Sequence, residues 1–423
     1  MSQAHRSLVL AAIPTYFTLR MGCALLLLKL SARCLPVSGF AVFSQLALFG
    51  ALANLMAIGG TQNGVIRQVA AAPDAAAIAG VQRAALAIWA LLLLLVIVLL
   101  ALGDGWLSRV LTGDVGAAHS VAAIGAIALV AGPGQIWCGL LSGQRRIAAS
   151  LGAQALGLGS GTLAAGWFLW HGGAVAAAVA FACGPLVTAP VALALLGKIV
   201  RVRPVPGGLR RDIRQLLRYS AALAATSLFA AVTLFALRYA YRQSFDAQKL
   251  GYWLAANRIS DISTQLLGLF LIQFFVPHLA QADSEAAKRG FVLRCAVIGT
   301  AAMAAVATGF ALCANWLVPL LLSPTFLPAI PAIRLYLVGD TLRVGASLAM
   351  YAAFARGQPL RYAAIELGAV ALLAVLALAM IAAGRPDAPQ LAYVGAYGTV
   401  TLIVAMRFGW LLKPTRRLSM LQG

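Results

Sequence analysis

The stretch Lys249–Pro277, KLGYWLAANRISDISTQLLGLFLIQFFVP, is apolar over a length that can cross a bilayer, yet its first half carries Asn257, Arg258, Asp261 and Gln265. About 20 residues rising roughly 1.5 Å each span a hydrocarbon core of roughly 30 Å. At about 100° per residue, Asn257, Asp261 and Gln265 fall on one helix face with Arg258 beside them. Arg258 and Asp261 are three apart, so their side chains can meet. Either charge at the bilayer centre costs roughly 2.5–3.5 kcal/mol on insertion scales, so the stripe is predicted to face a wet cavity or another helix. It is either a structural ion pair that locks two helices or the lining of a substrate path. Matching polar groups in other apolar runs favour the path.

The whole chain has the same character. Of its 423 residues 62% are hydrophobic and 10% charged, and the mean hydropathy is +0.91. Soluble domains average about 25% charged residues, so the composition specifies an integral membrane protein. The first apolar run, Ser7 to Leu30, is too long for a signal-peptide core and lacks a small-residue cleavage site. Cys23, Cys34, Cys138, Cys183, Cys295 and Cys313 lie singly, mostly in apolar runs, and the four histidines are scattered. Neither set has metal-ligand or disulfide spacing, and no phosphate-cradling glycine loop is present, so no cofactor, metal or nucleotide hydrolysis is expected. The net charge of +21 does not point to nucleic acid, because the charges sit in short loops between apolar runs.

About twelve spans are predicted, near 8–30, 39–60, 83–103, 117–141, 147–170, 174–197, 218–241, 249–275, 291–316, 331–355, 361–383 and 389–411. The expected fold is therefore all-α and polytopic. With the N-terminus inside, twenty basic residues flank the spans on the inner side, Arg67, Arg83, Arg145, Arg146 and Arg210 among them. Six lie outside: Lys29, Arg33, Arg109, Arg242, Lys249 and Arg385. This asymmetry predicts that both termini are cytoplasmic. The outer loops are too short to fold as domains, so the work is expected within the membrane. The third span, AALAIWALLLLLVIVLLAL, has no polar group and reads as a lipid-facing packing helix. Gly152, Gly157, Gly159 and Gly161 suggest close backbone packing in the fifth and sixth spans.

The inner linker Gly197–Arg218 carries Pro204, Pro206, Gly207 and Gly208, then a basic amphipathic run suited to an anionic leaflet. It divides the chain into a six-helix lobe at 1–200, a linker at 201–218 and a second six-helix lobe at 219–423. A faint repeat supports the division: Arg20 precedes Gly39-Phe40 much as Arg238 precedes Gly251-Tyr252. Internal repeats of this kind build secondary transporters, with sites near the midplane.

Six bases fall within spans (Arg20, Arg238, Arg258, Arg334, Arg343, Arg407) against three acids (Asp261, Asp340, Glu366). Arg20 is mid-span. Arg238 and Arg334 lie near outer ends and either join the site or snorkel; Arg407 snorkels. Asp340 and Arg343 repeat the three-residue spacing of span eight. Glu366 stands alone as a candidate proton carrier unless it pairs with a base on a neighbouring helix. The positive balance should select an anion, and arginine's planar fork suits phosphate. The residues thus point to a transporter of an anionic, amphiphilic substrate.

Several stretches add a likeness: LRMGCALLLLK (Leu19–Lys29), FSQL (Phe43–Leu46), NGV (Asn63–Val65), GYW and ISD (Gly251–Trp253, Ile259–Asp261), LVGDTLRVGA (Leu337–Ala346) and LRY (Leu360–Tyr362). Together they resemble the Wzx-type flippases of the multidrug/oligosaccharidyl-lipid/polysaccharide superfamily, and most of all the lipid III subgroup for enterobacterial common antigen. The resemblance implies two six-helix lobes in a V around a cationic cavity. It implies movement of an undecaprenyl-diphosphate-linked oligosaccharide from the inner to the outer leaflet of a bacterial inner membrane, for O-antigen or common-antigen assembly. Carried over by position, Arg20, Lys29, Asp261, Asp340 and Arg343 fall on family charges, and Asn63 and Gly64 on the turn after helix two. Arg258 departs from the family, and Glu366 is one position out of register with the family's acid.

The expected substrate set is Arg20, Lys29, Asn63, Arg238, Asn257, Arg258, Asp261, Gln265, Arg334, Asp340 and Arg343, with Asp261, Asp340 and Glu366 as coupling candidates. The diphosphate would dock on Arg20, Arg258 and Arg343, with anionic lipids and downstream polymerase and chain-length proteins as partners. The rivals are a cation-coupled small-molecule exporter, which calls for acids to dominate, and a membrane glycan polymerase or ligase, which calls for a large outer loop.

Overall fold

The computed structural model describes residues 3–58, 61–197, 208–281, 284–356 and 358–407, and every regular element among them is a helix. The chain divides into two compact units, Met1–Leu228 and Phe229–Gly423.

The first unit contains α1 (Gln3–Cys34), α2 (Val37–Ile58), α3 (Gln62–Ala70), α4 (Ala75–Thr112), α5 (Ala118–Val130), α6 (Gly132–Gly143), α7 (Ile147–His171), α8 (Gly173–Ala182) and α9 (Gly184–Leu196). It ends within α10 (Leu209–Ser244). The second unit takes the rest of α10, then α11 (Ala247–Phe270), α12 (Val276–Gln281), α13 (Glu285–Leu321), α14 (Ile330–Ala355), α15 (Pro359–Ala382) and α16 (Ala388–Met406).

As far as the described residues reach, the expected spans fall on these helical stretches (residues 59–60 and 408–411 of the second and twelfth lie outside them), and three are interrupted where proline dictates. The fourth and sixth spans break into α5–α6 and α8–α9 just before Gly132-Pro133 and Gly184-Pro185. Proline suits a first helical turn and disfavours helix in the residue before it. In the eighth span, Pro277 cannot donate to the Gln273 carbonyl. The helix adapts with a π turn at Leu271–Phe275, where the Val276 amide reaches back to the Leu271 carbonyl, before continuing as α12.

Among the described residues, eight stretches are long and apolar enough to cross a membrane. The helices bearing Arg238, the Asn257–Asp261 stripe and Asp340–Arg343 are not among them, because their polar residues lower their hydropathy. On α4 the run Leu91, Leu94, Leu95, Ile97 and Val98 is exposed, which only a lipid environment satisfies over so many helices. The protein is a polytopic, all-α membrane protein.

Small residues set the spacing inside each unit. A Cβ on Gly161 would lie 2.9 Å from the Gly184 Cα, and one on Gly184 would lie 3.0 Å from the Gly161 Cα. With Gly157 they bring α7 and α9 into backbone contact. Gly152 and Gly159 meet nothing within 4 Å, so two of the four glycines noted in the sequence have this role.

The first unit's core also absorbs the start of α10. Leu216 is fully buried, with Leu209 and Ile213 packed against Val69, Ala84 and Leu141 among others. The apolar face expected to rest on lipid is therefore used by protein, while Arg210, Arg211 and Arg214 remain exposed. Residues 201–207 of the linker lie outside the described residues.

In the second unit α14 is the central helix. Gly339 leaves room for the Tyr393 ring and Gly345 for the Thr401 side chain. Thr401 in turn donates to the Leu342 carbonyl (2.6 Å) and accepts from the Ala346 amide (3.1 Å). The two glycines of the LVGDTLRVGA block are thus what lets α16 lie against α14.

Candidate substrate site

In the second unit the stripe read from the sequence forms a connected chain. Arg238 on α10 donates through Nη2 to the Asn257 Oδ1 (3.2 Å), and the Asn257 amide donates to the Asp261 Oδ1 (3.3 Å). Arg258 approaches the Asp261 Oδ2 at 3.9 Å, both side chains being about two-fifths exposed. Arg238 does not snorkel. It is only 5% exposed, and its Nε and Nη1 have no hydrogen-bond partner. Asp261 also feels the charges of Arg238 and Arg343, so the fields of three guanidinium groups act on one carboxylate.

Across from α11, Asp340 is fully buried on α14. It does not bridge to Arg343, as the three-residue spacing allowed. Ser260 (2.7 Å) and Ser263 (2.6 Å) of α11 and Tyr393 (2.8 Å) of α16 donate to its two oxygens. Arg343 reaches the same Tyr393 hydroxyl from Nη1 (3.1 Å) and lies 4.7 Å from the centre of the Tyr397 ring. Asp340 is thereby the knot that ties α11, α14 and α16 together, since three donors compensate a buried carboxylate. A buried bond from the Trp253 indole to the Tyr336 hydroxyl (2.6 Å) adds a second tie between α11 and α14. Beyond Tyr393, Arg343 lines a cavity of about 170 Å³ shared with Glu366, Thr264, Ser347, Tyr351 and Tyr362.

In the first unit Arg20 lines a larger cavity of about 450 Å³. Its other polar groups are Tyr16, Asn54, Gln62, Gln135, Gln154 and Thr188, and no carboxylate is among the lining residues. The sequence reading singled out Arg20 and missed the carboxamides. Their signal was present, since Asn54, Gln135 and Gln154 are uncharged polar residues inside apolar runs.

The remaining candidates are not gathered into these clusters. Gln265 is exposed on α11, and Arg334 is exposed with its Nη2 bonded to the Ala311 carbonyl (2.9 Å). Lys29 is half-buried and engaged in an interaction of its own. The backbone of Asn63 is in α3, and its side chain lies outside the described residues. Arg407 is exposed at the end of α16.

These positions change the charge argument. In the second unit Arg238, Arg258 and Arg343 are balanced by Asp261, Asp340 and Glu366, while Arg334 and Arg407 point elsewhere. Among the described residues, the six-to-three excess seen in the sequence reduces to Arg20, in a cavity whose lining includes no acid.

A family model described as polysaccharide biosynthesis protein matches residues 12–283. No curated protein sequence matches the chain with significance. Among solved structures, the chain is similar to an inward-facing conformation of a multidrug resistance MATE family transporter of the MOP superfamily (TM-score 0.75, 16% identity, 94% of this chain and 95% of that one). An outward-facing conformation of such a transporter gives a TM-score of 0.58 at 16% identity, covering 97% of each chain. A MOP superfamily transporter from Pyrococcus furiosus Vc1, described by the reverse polarity of its binding pocket, gives 0.58 at 15% identity over 96% of this chain and 94% of that one. Identities this low establish a shared fold.

Proposed function

The chain belongs to the polysaccharide biosynthesis protein family, and from that premise we propose that it is a flippase for a polyprenyl-diphosphate-linked oligosaccharide. In this reading it carries the glycan lipid from the inner to the outer leaflet of a bacterial inner membrane by alternating access, as the undecaprenyl-linked intermediates of cell-surface polysaccharide assembly require. The observation that carries the reading is Arg20. A guanidinium inside an apolar helix is expensive unless it meets water or an anion, and this one opens on a cavity without a carboxylate. A diphosphate satisfies it with charge-assisted, bidentate bonds.

Within the second unit, Arg343 and Arg258 are half-buried cations open to an anion. Arg238 is too deeply buried to touch a ligand and acts on Asn257 and Asp261 instead. Asp340 serves as scaffold. Glu366, opening on the smaller cavity among hydroxyl groups, is the carboxyl best suited to accept a proton or cation during the cycle.

The driving force follows from charge. With the cytoplasm negative, outward movement of an anion is favoured by about 2.3 kcal/mol per charge per 100 mV. The test is a proteoliposome assay of a fluorescent undecaprenyl-diphosphate oligosaccharide, its outer-leaflet copies quenched chemically. Protein-dependent movement supports the reading. No movement, with ethidium taken up under a pH or sodium gradient, would replace it with a cation-coupled exporter.

A further inference from the structure

We propose that the first unit's cavity is a sugar-reading subsite in which Asn54, Gln62, Gln135 and Gln154 recognise the glycan next to the diphosphate held by Arg20. The inference rests on the flippase reading and adds what the cavity selects. The four carboxamides come from α2, α3, α6 and α7 and converge on one cavity of about 450 Å³. That volume is within the range of pockets for small ligands, roughly 300–1,000 Å³.

The chemistry of the lining is specific. A carboxamide offers both an acceptor and two donors, so a cluster of them matches the mixed donors and acceptors of hydroxyl and acetamido groups. A site for a second anion would need more than one cation, and the lining holds only Arg20; that same guanidinium, with no carboxylate to offset it, disfavours a cationic drug. Tyr16 and Phe181 supply ring faces for the apolar side of a pyranose.

The carboxamides are also underused by the protein. Asn54, Gln62 and Gln135 are half-buried and have no hydrogen-bond partner among the described residues. Gln154 is loosely held, accepting from the Tyr16 hydroxyl at 3.4 Å and donating to the Ser150 carbonyl and hydroxyl at 3.4 and 3.3 Å. Three carboxamides without a partner among the described residues and a fourth weakly bonded, all lining one cavity, leave donors and acceptors free for a polar ligand. Since Arg20 lines the same space, a sugar joined directly to a diphosphate would present both parts to it together.

The test compares two probes in proteoliposomes of the full chain: undecaprenyl diphosphate and undecaprenyl-diphosphate N-acetylglucosamine. For wild type, Gln135→Met and Asn54→Leu, the movement of the sugar-bearing lipid is divided by that of the bare lipid. The expected result is a ratio at least tenfold lower in each variant. An unchanged ratio, with both lipids still moved, overturns the subsite and leaves the flippase standing. If wild type moves neither lipid, the flippase reading fails, and saturation-transfer NMR with free N,N′-diacetylchitobiose decides the subsite alone. Binding to wild type that is lost in the variants then sustains it, and absence of binding overturns it. Two variants on different helices guard against one misfolding.

Discussion

Gly339 and Tyr393 occupy one space: the tyrosine ring of α16 fills the volume a side chain at 339 would need. This places the Tyr393 hydroxyl between the buried Asp340 carboxylate and the Arg343 guanidinium. The backbone allowance at one residue therefore sets the geometry of the charged pair beside it. Gly339→Ala forces the ring outward. Overpacking of this kind costs about 1–3 kcal/mol. The expected result is a lower unfolding temperature in detergent together with slower substrate movement.

Tyr393→Phe keeps the packing and removes only the shared hydroxyl. Asp340 then retains its two serine donors, while Arg343 loses its hydrogen bond on that side. Stability should fall by about 1.5–3 kcal/mol, the range for a lost bond to a charged group. Thermal unfolding of Tyr393→Phe, Ser263→Ala and the double variant measures the coupling. Losses that simply add would show that the donors do not act through Asp340.

Arg238 and Asn257 give predictions of unequal size. Asn257→Ala strips the buried guanidinium of its hydrogen-bond acceptor and should destabilise by about 1.5–3 kcal/mol, the range for a bond to a charged group. Arg238→Met removes a cation with two unbonded nitrogens and should be close to neutral for stability. Transport should nevertheless slow in Arg238→Met, because Asp261 loses one of three neighbouring positive charges. Equal destabilisation by both substitutions would contradict this assignment.

The membrane potential provides a further check. Imposing about 100 mV, negative on the face where the anionic lipid starts, should accelerate its movement, and reversing the sign should slow it. A valinomycin-clamped potassium gradient sets the potential. A rate independent of sign would mean that net charge does not cross with the substrate.

The sequence made legible what lies within single helices. Asn257 and Asp261 are four residues apart, and the structure joins them. Gln265 was placed on the same face by the same steps, but it is exposed. Each step of four overshoots a turn by about 40°, so after two steps the residue has rotated about 80° away from Asn257. Contacts between helices were not legible. Nothing local told that Arg238 would bond to Asn257 or that Tyr393 would separate Asp340 from Arg343. The carboxamide cavity escaped notice for the same reason, because its members are spread from Asn54 to Gln154 on four helices. The proline breaks at Gly132-Pro133, Gly184-Pro185 and Pro277 were open to prediction from local sterics, whereas the counts of bases and acids could not reveal that Arg334 and Arg407 point away.

The most direct measurement is the movement of a fluorescent undecaprenyl-diphosphate oligosaccharide in proteoliposomes by wild type, Arg20→Lys and Arg20→Ala, at matched protein incorporation. The account predicts protein-dependent movement that falls at least about tenfold in Arg20→Ala and is partly restored in Arg20→Lys, since a point charge replaces some of the bidentate contact. Movement by Arg20→Ala at the wild-type rate would contradict the claim that Arg20, in a cavity lined by no carboxylate, holds the diphosphate.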